Sequence, residues 1–189
     1  MKKKILALIL AFACVAGTLS AVTAVEQPVT IEAATKKKAP SISKVYSAVK
    51  KAYGDKYVPN SRITKKEDIK SRYGISASWY SSVIAEVPMI NVNIDELVIV
   101  KAKNTSSKKK IKSALLAYQK KLKEDTFQYP ANQLKLQASR VYVKGDYVCF
   151  FTLGSISNEQ AQQKDESKVI DAYKAENEKA VKAIQKLYK

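Results

Sequence analysis

The sequence predicts an α+β domain in which helices pack on an antiparallel sheet of about four strands. Three observations favour this class: an apolar run at residues 97–100, an apolar stripe at helical spacing in residues 107–123, and two strand-like segments on either side of Lys144-Gly145. The predicted order of elements is α-α-β-β-α-α-β-β-α. The sequence contains no internal repeat.

The first helix is expected to begin at Ser41 or Ser43, because a serine hydroxyl can cap the amino terminus of a helix. Gly54 predicts its end, since glycine adopts the left-handed conformation that stops a helix. One face of this helix is expected to be apolar and carries Ile42, Val45, Val49 and Ala52.

The second helix is short and ends at Gly74. Thr64 and Glu67 have the spacing of a capping box, in which each side chain bonds to the backbone of the other residue. Residues 79–87 then predict a strand, with Pro88 at its edge, at a bulge or at its end.

An interior strand is predicted at residues 97–103, because Leu97, Val98, Ile99 and Val100 are apolar on both pleat faces. The strongest helix follows at residues 107–123. Its apolar stripe is expected to pack on the sheet and consists of Ile111, Leu115, Tyr118 and Leu122.

A short helix is expected to begin at Pro130 and to run through residue 138. Strands at 140–143 and 147–153 then flank Lys144-Gly145, which predicts a tight hairpin turn. The tail at residues 158–188 is helical by composition, with a weaker stripe formed by Val169, Tyr173, Ala180, Ile184 and Leu187.

Residues 1–33 have the layout of a secretory signal peptide. A lysine cluster at 2–4 precedes an apolar segment at 5–17, and small residues follow. Cleavage is expected after Ala33, with Ala24 as the second site, because signal peptidase prefers small residues at the end of the leader. The working protein is therefore expected outside the cytoplasm, either extracellular or associated with the cell envelope.

The predicted organisation after the leader is a linker at 34–40, an α+β domain at 41–157 and a charged helix at 158–189. Two alternatives compete with cleavage. Cys14 could carry a lipid, although it lacks the usual preceding leucine. Residues 5–25 could remain as an anchor, although three hydroxyl residues dilute their apolar character.

Removal of residues 1–33 leaves 31 basic and 15 acidic residues, a net charge of +16. Only Arg62, Arg72 and Arg140 among the basic residues are arginine. Lysine presents a hydrated point charge rather than a planar fork, so this composition favours diffuse attraction to anionic polymers or membranes. Nucleic acid is not an expected partner, because arginine is scarce and the protein is expected outside the cytoplasm, away from nucleic acid.

The chain contains no histidine, which excludes Ser-His-Asp and Cys-His catalysis and zinc sites built on imidazole. Ser-x-x-Lys spacings occur, but the Ser-Asp-Asn and Lys-Thr-Gly motifs of penicillin-recognising enzymes do not. Cys149 is the only cysteine beyond the leader and lies in an apolar run, so we expect a buried residue rather than a nucleophile. No cofactor is expected.

Asn91, Asn93 and Asp95 alternate as the first ligands of a calcium loop do. Glu96 and Ala102, however, stand where that loop needs a glycine and a bidentate glutamate. We therefore expect one polar face of an extended segment here, and no metal site.

Several segments together resemble a known family: PMINVNIDELVIVKAK at 88–103, the lysine-rich helix after it, YP at 129–130 and VYVKGDYV at 141–148. Over residues 64–154 the chain is similar to the secreted Gram-positive family catalogued as domain of unknown function 4358. The resemblance implies a small extracytoplasmic protein, often a lipoprotein, with no established activity. This chain departs from the family in lacking a lipid-attachment motif and in its charged tail.

The leading hypothesis is a non-enzymatic binding or assembly module of the cell envelope. Its expected partner is an anionic cell-wall polymer, an anionic membrane surface or another envelope protein. The alternative is a cell-wall or glycan hydrolase that uses carboxylates alone, such as Glu86 and Glu96. The predicted anion-binding surface, here named the lysine face, consists of Lys108, Lys109, Lys112, Lys120 and Lys123.

Overall fold

One antiparallel sheet organises the part of the chain that the structure describes, residues 39–90 and 92–189 of a computed structural model. The strand order is β1-β2-β3-β5-β4, and every neighbouring pair is antiparallel. The strands are β1 (Ser61–Arg62), β2 (Tyr80–Val87), β3 (Glu96–Ala102), β4 (Arg140–Lys144) and β5 (Tyr147–Thr152). The predicted leader, most of the linker and Asn91 lie outside the described residues.

Helices cover both faces of this sheet, so the α+β class is confirmed. One 3₁₀ turn, Gly54–Lys56, directly follows the first helix. The helices are α1 (Ile42–Tyr53), α2 (Lys66–Tyr73), α3 (Thr105–Glu124), α4 (Pro130–Gln137), α5 (Asn158–Ala161) and α6 (Glu166–Lys186).

The central strand β3 is buried on both sides, as its apolar run predicted. Val98 and Val100 face α2 and α3, while Leu97 and Ile99 face α1 and α6. The α2 and α3 residues of the first core are Ile69, Tyr73, Ile111, Leu115 and Tyr118. The α1 and α6 residues of the second core are Val45, Val49, Tyr53, Ala180, Val181 and Ile184.

The first helix begins as predicted, since the Ser41 hydroxyl accepts a hydrogen bond from the Lys44 amide. Gly54 ends it with a φ of 55°. Ala52, predicted on the apolar face, is exposed, and Tyr53 takes the buried position instead.

The predicted capping box at Thr64 is wrong. Helix α2 begins at Lys66 with Lys65 as its cap, and no side chain bonds to the cap. The Ile63 amide still donates to Ala85 of β2, so the chain remains extended up to this point. That pairing continues the short strand β1, which the sequence analysis missed because Ser61 and Arg62 form no apolar run.

The hairpin between β4 and β5 turns at Gly145-Asp146, one residue later than predicted. Lys144 pairs with Tyr147, which leaves two residues for the turn. Gly145 has a φ of 56°, the left-handed conformation that such turns require.

The helical tail consists of two helices, α5 and α6, and α6 docks on the sheet. Asn177, which no apolar pattern marks, is fully buried. Its side-chain oxygen accepts from the Leu153 amide at 2.9 Å, and its nitrogen donates to the Ala138 carbonyl at 2.9 Å. The side chain thus joins α6 to the end of β5 and to the end of α4.

We expect Asn177→Leu to lower the free energy of unfolding by at least about 2 kcal/mol, because two buried backbone groups lose their partners. The exposed neighbour Ala175 supplies the control: Ala175→Leu should change stability by less than about 0.5 kcal/mol. Urea unfolding followed by circular dichroism measures both. Equal stability of the two variants would contradict the role assigned to Asn177.

Candidate functional site

The lysine face lies on α3, but its five members differ in exposure. Lys109, Lys112 and Lys120 are exposed, whereas Lys108 and Lys123 are half-buried. Lys108 donates to the Gly145 carbonyl at 3.0 Å. Burial, and then the charge of Lys174, lower the pKa of Lys123. The exposed charge on this face is therefore carried by three lysines, of which Lys120 lies 3.7 Å from the Glu124 carboxylate.

All three arginines beyond the leader form ion pairs, although each arginine side chain remains partly exposed. Their partners are the carboxylates Glu86, Glu96 and Glu178. Apart from these arginine pairs, the exposed positive charge of the described residues is therefore supplied mainly by lysines.

A second group of lysines, which the sequence analysis missed, surrounds a groove between α1 and α6. The floor is formed by alanines and the rim by lysines: Ala48, Ala52 and Ala183, with Lys51, Lys179, Lys182 and Lys186. The sequence pattern could have revealed this group, because positions 179, 182, 183 and 186 have the spacing that places residues on one face of a helix. Lys179 forms an ion pair with Glu176 at 2.7 Å.

Glu96, at the start of β3, is buried and accepts hydrogen bonds from three side chains. Tyr118 donates to it at 2.8 Å, Tyr73 at 2.5 Å and the Arg72 Nε at 3.1 Å. Burial, followed by the charge of Glu96, raises the pKa of both tyrosines well above its ordinary value. This cluster ties α2 and α3 to the sheet.

Glu86 forms a similar cluster on the opposite face of the sheet. It accepts from Tyr46 at 3.1 Å, from Tyr57 at 2.8 Å and from Arg62 at 2.7 Å. Only 6% of this residue is exposed. Glu86 and Glu96, the acids that the sequence analysis could not dismiss as catalytic, therefore lie on opposite faces, each held by two tyrosines and an arginine.

Asp95, next to Glu96, is almost completely buried. Lys135 forms an ion pair with it, and the Gly154 amide donates to it at 3.1 Å. Burial raises the pKa of Asp95, although Lys135 and Gly154 act in the opposite direction. The aspartate thus joins α4 and the segment after β5 to the start of β3.

A cleft of about 250 Å³ opens beside these two acids. Arg72, Pro88, Asn93 and Gln128 line it together with apolar residues. The Asp95 side chain bonds to Lys135 and Gly154, whereas the Glu96 side chain bonds to Arg72, Tyr73 and Tyr118. Both acids line the cleft, but each carboxylate already has a cationic partner.

Within residues 39–90 and 92–189, no group of three or more histidine, cysteine, aspartate or glutamate side chains could hold a metal ion. Of the calcium-like trio, Asn91 is outside the described residues. The Asn93 side chain accepts from the Asp95 amide at 2.7 Å, as in a turn. The Asp95 carboxylate forms an ion pair with Lys135.

Cys149 is fully buried in the core, as predicted. Burial raises the pKa of its thiol to about 12, so the thiolate form is strongly disfavoured. A membrane-spanning helix is also absent from the described part of the chain, where none is both long and apolar enough.

The fold and this surface define an α+β domain with a doubly covered sheet, internally paired acids and a lysine-rich exterior. The sequence matches a family model, the domain of unknown function DUF4358, over residues 52–153, and the chain belongs to that family. No curated protein and no solved structure matches it. The family match contains the whole sheet with α2, α3 and α4, whereas nearly all of α1 and all of α6 lie outside it.

Lys135→Met removes the cation that faces Asp95 and should cost about 3 kcal/mol or more at pH 7, because a buried charge is left unpaired. The pKa of Asp95 in the folded variant then rises further above its unfolded value near 3.9. Stability of the variant should therefore fall as pH rises from about 4 to 7, more steeply than in the unchanged protein. Urea unfolding at several pH values measures this.

The matched control is Lys174→Met, which removes a lysine from the exposed pair with Asp171. Exposed pairs contribute about 1 kcal/mol or less, so its loss should be small and nearly independent of pH. A pH profile of Lys135→Met parallel to that of the control would contradict the pairing of Asp95.

Proposed function

We propose that the protein is an exported, non-enzymatic binding or assembly module of a Gram-positive cell envelope, held near anionic polymer or lipid by exposed lysines. The observation that carries this proposal is the division of charge in the fold. Each of the three arginines is paired with a glutamate, and the buried Asp95 is paired with Lys135. Lysines such as Lys109 and Lys112 remain exposed, in a chain with an overall charge of +17.

Long-range attraction follows from this distribution, because an excess of exposed positive charge concentrates a protein near polyanions without a shaped pocket. The envelope supplies such polyanions in the form of phosphate-rich wall polymers and anionic lipid head groups. The lysine face and the groove between α1 and α6 are two surfaces that offer this charge.

The alternative, a hydrolase with two catalytic carboxylates, finds less support in the geometry. Such an enzyme needs two acids about 5 to 10 Å apart on either side of one substrate bond. Glu86 and Glu96 lie on opposite faces of the sheet, and each is engaged by tyrosines and an arginine. The binding module therefore accounts better for these side chains.

Export makes a prediction about processing. We expect the mature chain to begin at Ala34, with Val25 as the second expected amino terminus, because small residues precede both positions. Intact-mass measurement of the protein from producing cells tests this. A mature chain that begins at an acylated Cys14 would show a lipoprotein instead, and an unprocessed chain would argue against signal-peptide cleavage.

Binding to the envelope makes a second prediction. Changing Lys109, Lys112 and Lys120 together to glutamine should weaken binding to purified cell walls several-fold at 0.1 M salt, without lowering the melting temperature. The interaction should also weaken between 0.1 M and 1 M salt, because the Debye length falls from about 10 Å to about 3 Å. Co-sedimentation measures the bound fraction.

The matched control changes the same three lysines to arginine, which keeps the charge and should keep the binding if the attraction is diffuse. Wall binding that persists at 1 M salt and is unaffected by the glutamine variant would overturn the electrostatic proposal.

A further inference from the structure

Two neighbouring loops expose large apolar side chains to solvent. In the loop between β2 and β3, Met89, Ile90 and Val92 are 74%, 68% and 59% exposed. In the loop between α3 and α4, Phe127 is 96% exposed and Tyr129 is 65% exposed. Such grouped exposure is unusual for a water-facing surface and marks a place of interaction. We name these five residues the apolar loops.

The apolar loops adjoin one another at one end of the sheet. The Asn132 side chain donates to the Val92 carbonyl at 3.1 Å, which ties the first loop to α4. Ile90 and Gln128, one from each loop segment, line the same cleft. The two loops are therefore neighbours in space, although about 35 residues separate them in sequence.

Both loops are shaped by hydrogen bonds that leave their apolar side chains outside. The Met89 amide donates to the Asn60 side chain at 3.0 Å, and the Asn93 amide donates to the Ile90 carbonyl at 3.2 Å. In the other loop, the Phe127 amide donates to the Asp125 carboxylate at 3.0 Å. The backbone thus presents Ile90 and Phe127 outward instead of folding them into the core.

Lysines stand directly beside this surface. Lys120 and Lys121, in the last turns of α3, line one surface depression together with Phe127. Glu124 and Asp125 line it as well; Glu124 is 3.7 Å from Lys120, and Asp125 is bonded to the loop amide and to Gln128. The combination of exposed aromatic and aliphatic tips with adjacent lysines is typical of surfaces that enter the interface of an anionic membrane.

We propose that the apolar loops insert into the interfacial layer of an anionic lipid bilayer while Lys120 and Lys121 contact the head-group phosphates. Tyr129 and Phe127 suit this layer, since aromatic rings are favoured at the boundary between head groups and acyl chains. This inference rests on the proposed function and deepens it, because it makes a lipid bilayer one anionic partner of the module.

Charge argues against the other occupants of this surface. Two copies of the processed chain, each with a net charge of +16, repel each other, which disfavours self-association through the apolar loops. A wall polymer of phosphate and sugar offers no apolar phase for Phe127 or Ile90. A bilayer with anionic head groups offers both the charge and the apolar phase.

The test uses the processed protein from producing cells and vesicles of phosphatidylglycerol mixed with phosphatidylcholine. Phe127→Ser and Ile90→Ser should each reduce the vesicle-bound fraction about tenfold, and pure phosphatidylcholine should bind less of the unchanged protein. Leu116→Ser is the control, because Leu116 is an exposed apolar residue on α3 outside both loops. Since all three side chains are exposed, the melting temperature should not change.

A second arm tests orientation with two variants of equal charge. Lys120→Gln with Lys121→Gln removes charge beside the apolar loops, whereas Lys109→Gln with Lys112→Gln removes it nearer the other end of α3. The first pair should weaken vesicle binding several-fold more than the second. Equal effects would mean that charge attracts the protein without orienting it, which would overturn loop insertion.

The outcomes separate this inference from the proposed function. Wall binding that depends on the lysine face, with no vesicle binding or with vesicle binding unaffected by Phe127→Ser, would overturn loop insertion alone. A lack of binding to both walls and vesicles would overturn both. Co-purification with an envelope protein that depends on Phe127, without vesicle binding, would make the apolar loops a protein interface and also overturn the inference.

Discussion

The rest of the structure depends on the complete burial of the central strand β3. Leu97, Val98, Ile99 and Val100 have no exposed surface, so both faces of the sheet must be covered. Helices α2 and α3 cover one face, and α1 and α6 cover the other. The family match ends after β5 and includes only the last residues of α1. In this chain, segments outside the match therefore complete a core that the matched region would leave open on one side.

Polar side chains at the start of the same strand fix the surrounding elements. Asp95 is bonded to α4 and to the segment after β5, and Glu96 is bonded to α2 and α3. Unpaired buried charges are costly, so each carboxylate favours the one arrangement in which its partners are present. These acids would be the first candidates in a search for catalytic residues, but each has a structural partner. Exposed lysines carry much of the remaining positive charge.

Local patterns in the sequence were sufficient for the elements that bury a regular stripe. Ile111, Leu115 and Tyr118 predicted α3, and the apolar run predicted β3. Strand β1 and the cap of α2 were missed or misplaced, because both depend on pairing with β2 rather than on their own residues. For the same reason no pattern revealed the clusters around Glu86 and Glu96, whose partners are 22 to 40 residues away in sequence. The sequence likewise could not predict that Phe127 is exposed, because exposure depends on which other segments pack near it in the fold.

The pairing of α1 with α6 also has a consequence for the order of folding. These helices come from opposite ends of the described chain, and the Tyr53 hydroxyl donates to the Glu176 carbonyl at 2.9 Å. Contacts between such distant segments form slowly, because a long loop must close first. Leu97, Ile99 and Phe151 consequently stay uncovered on one face until the last helix has been synthesised. The core of this domain therefore closes only after α6 has been added to the growing chain.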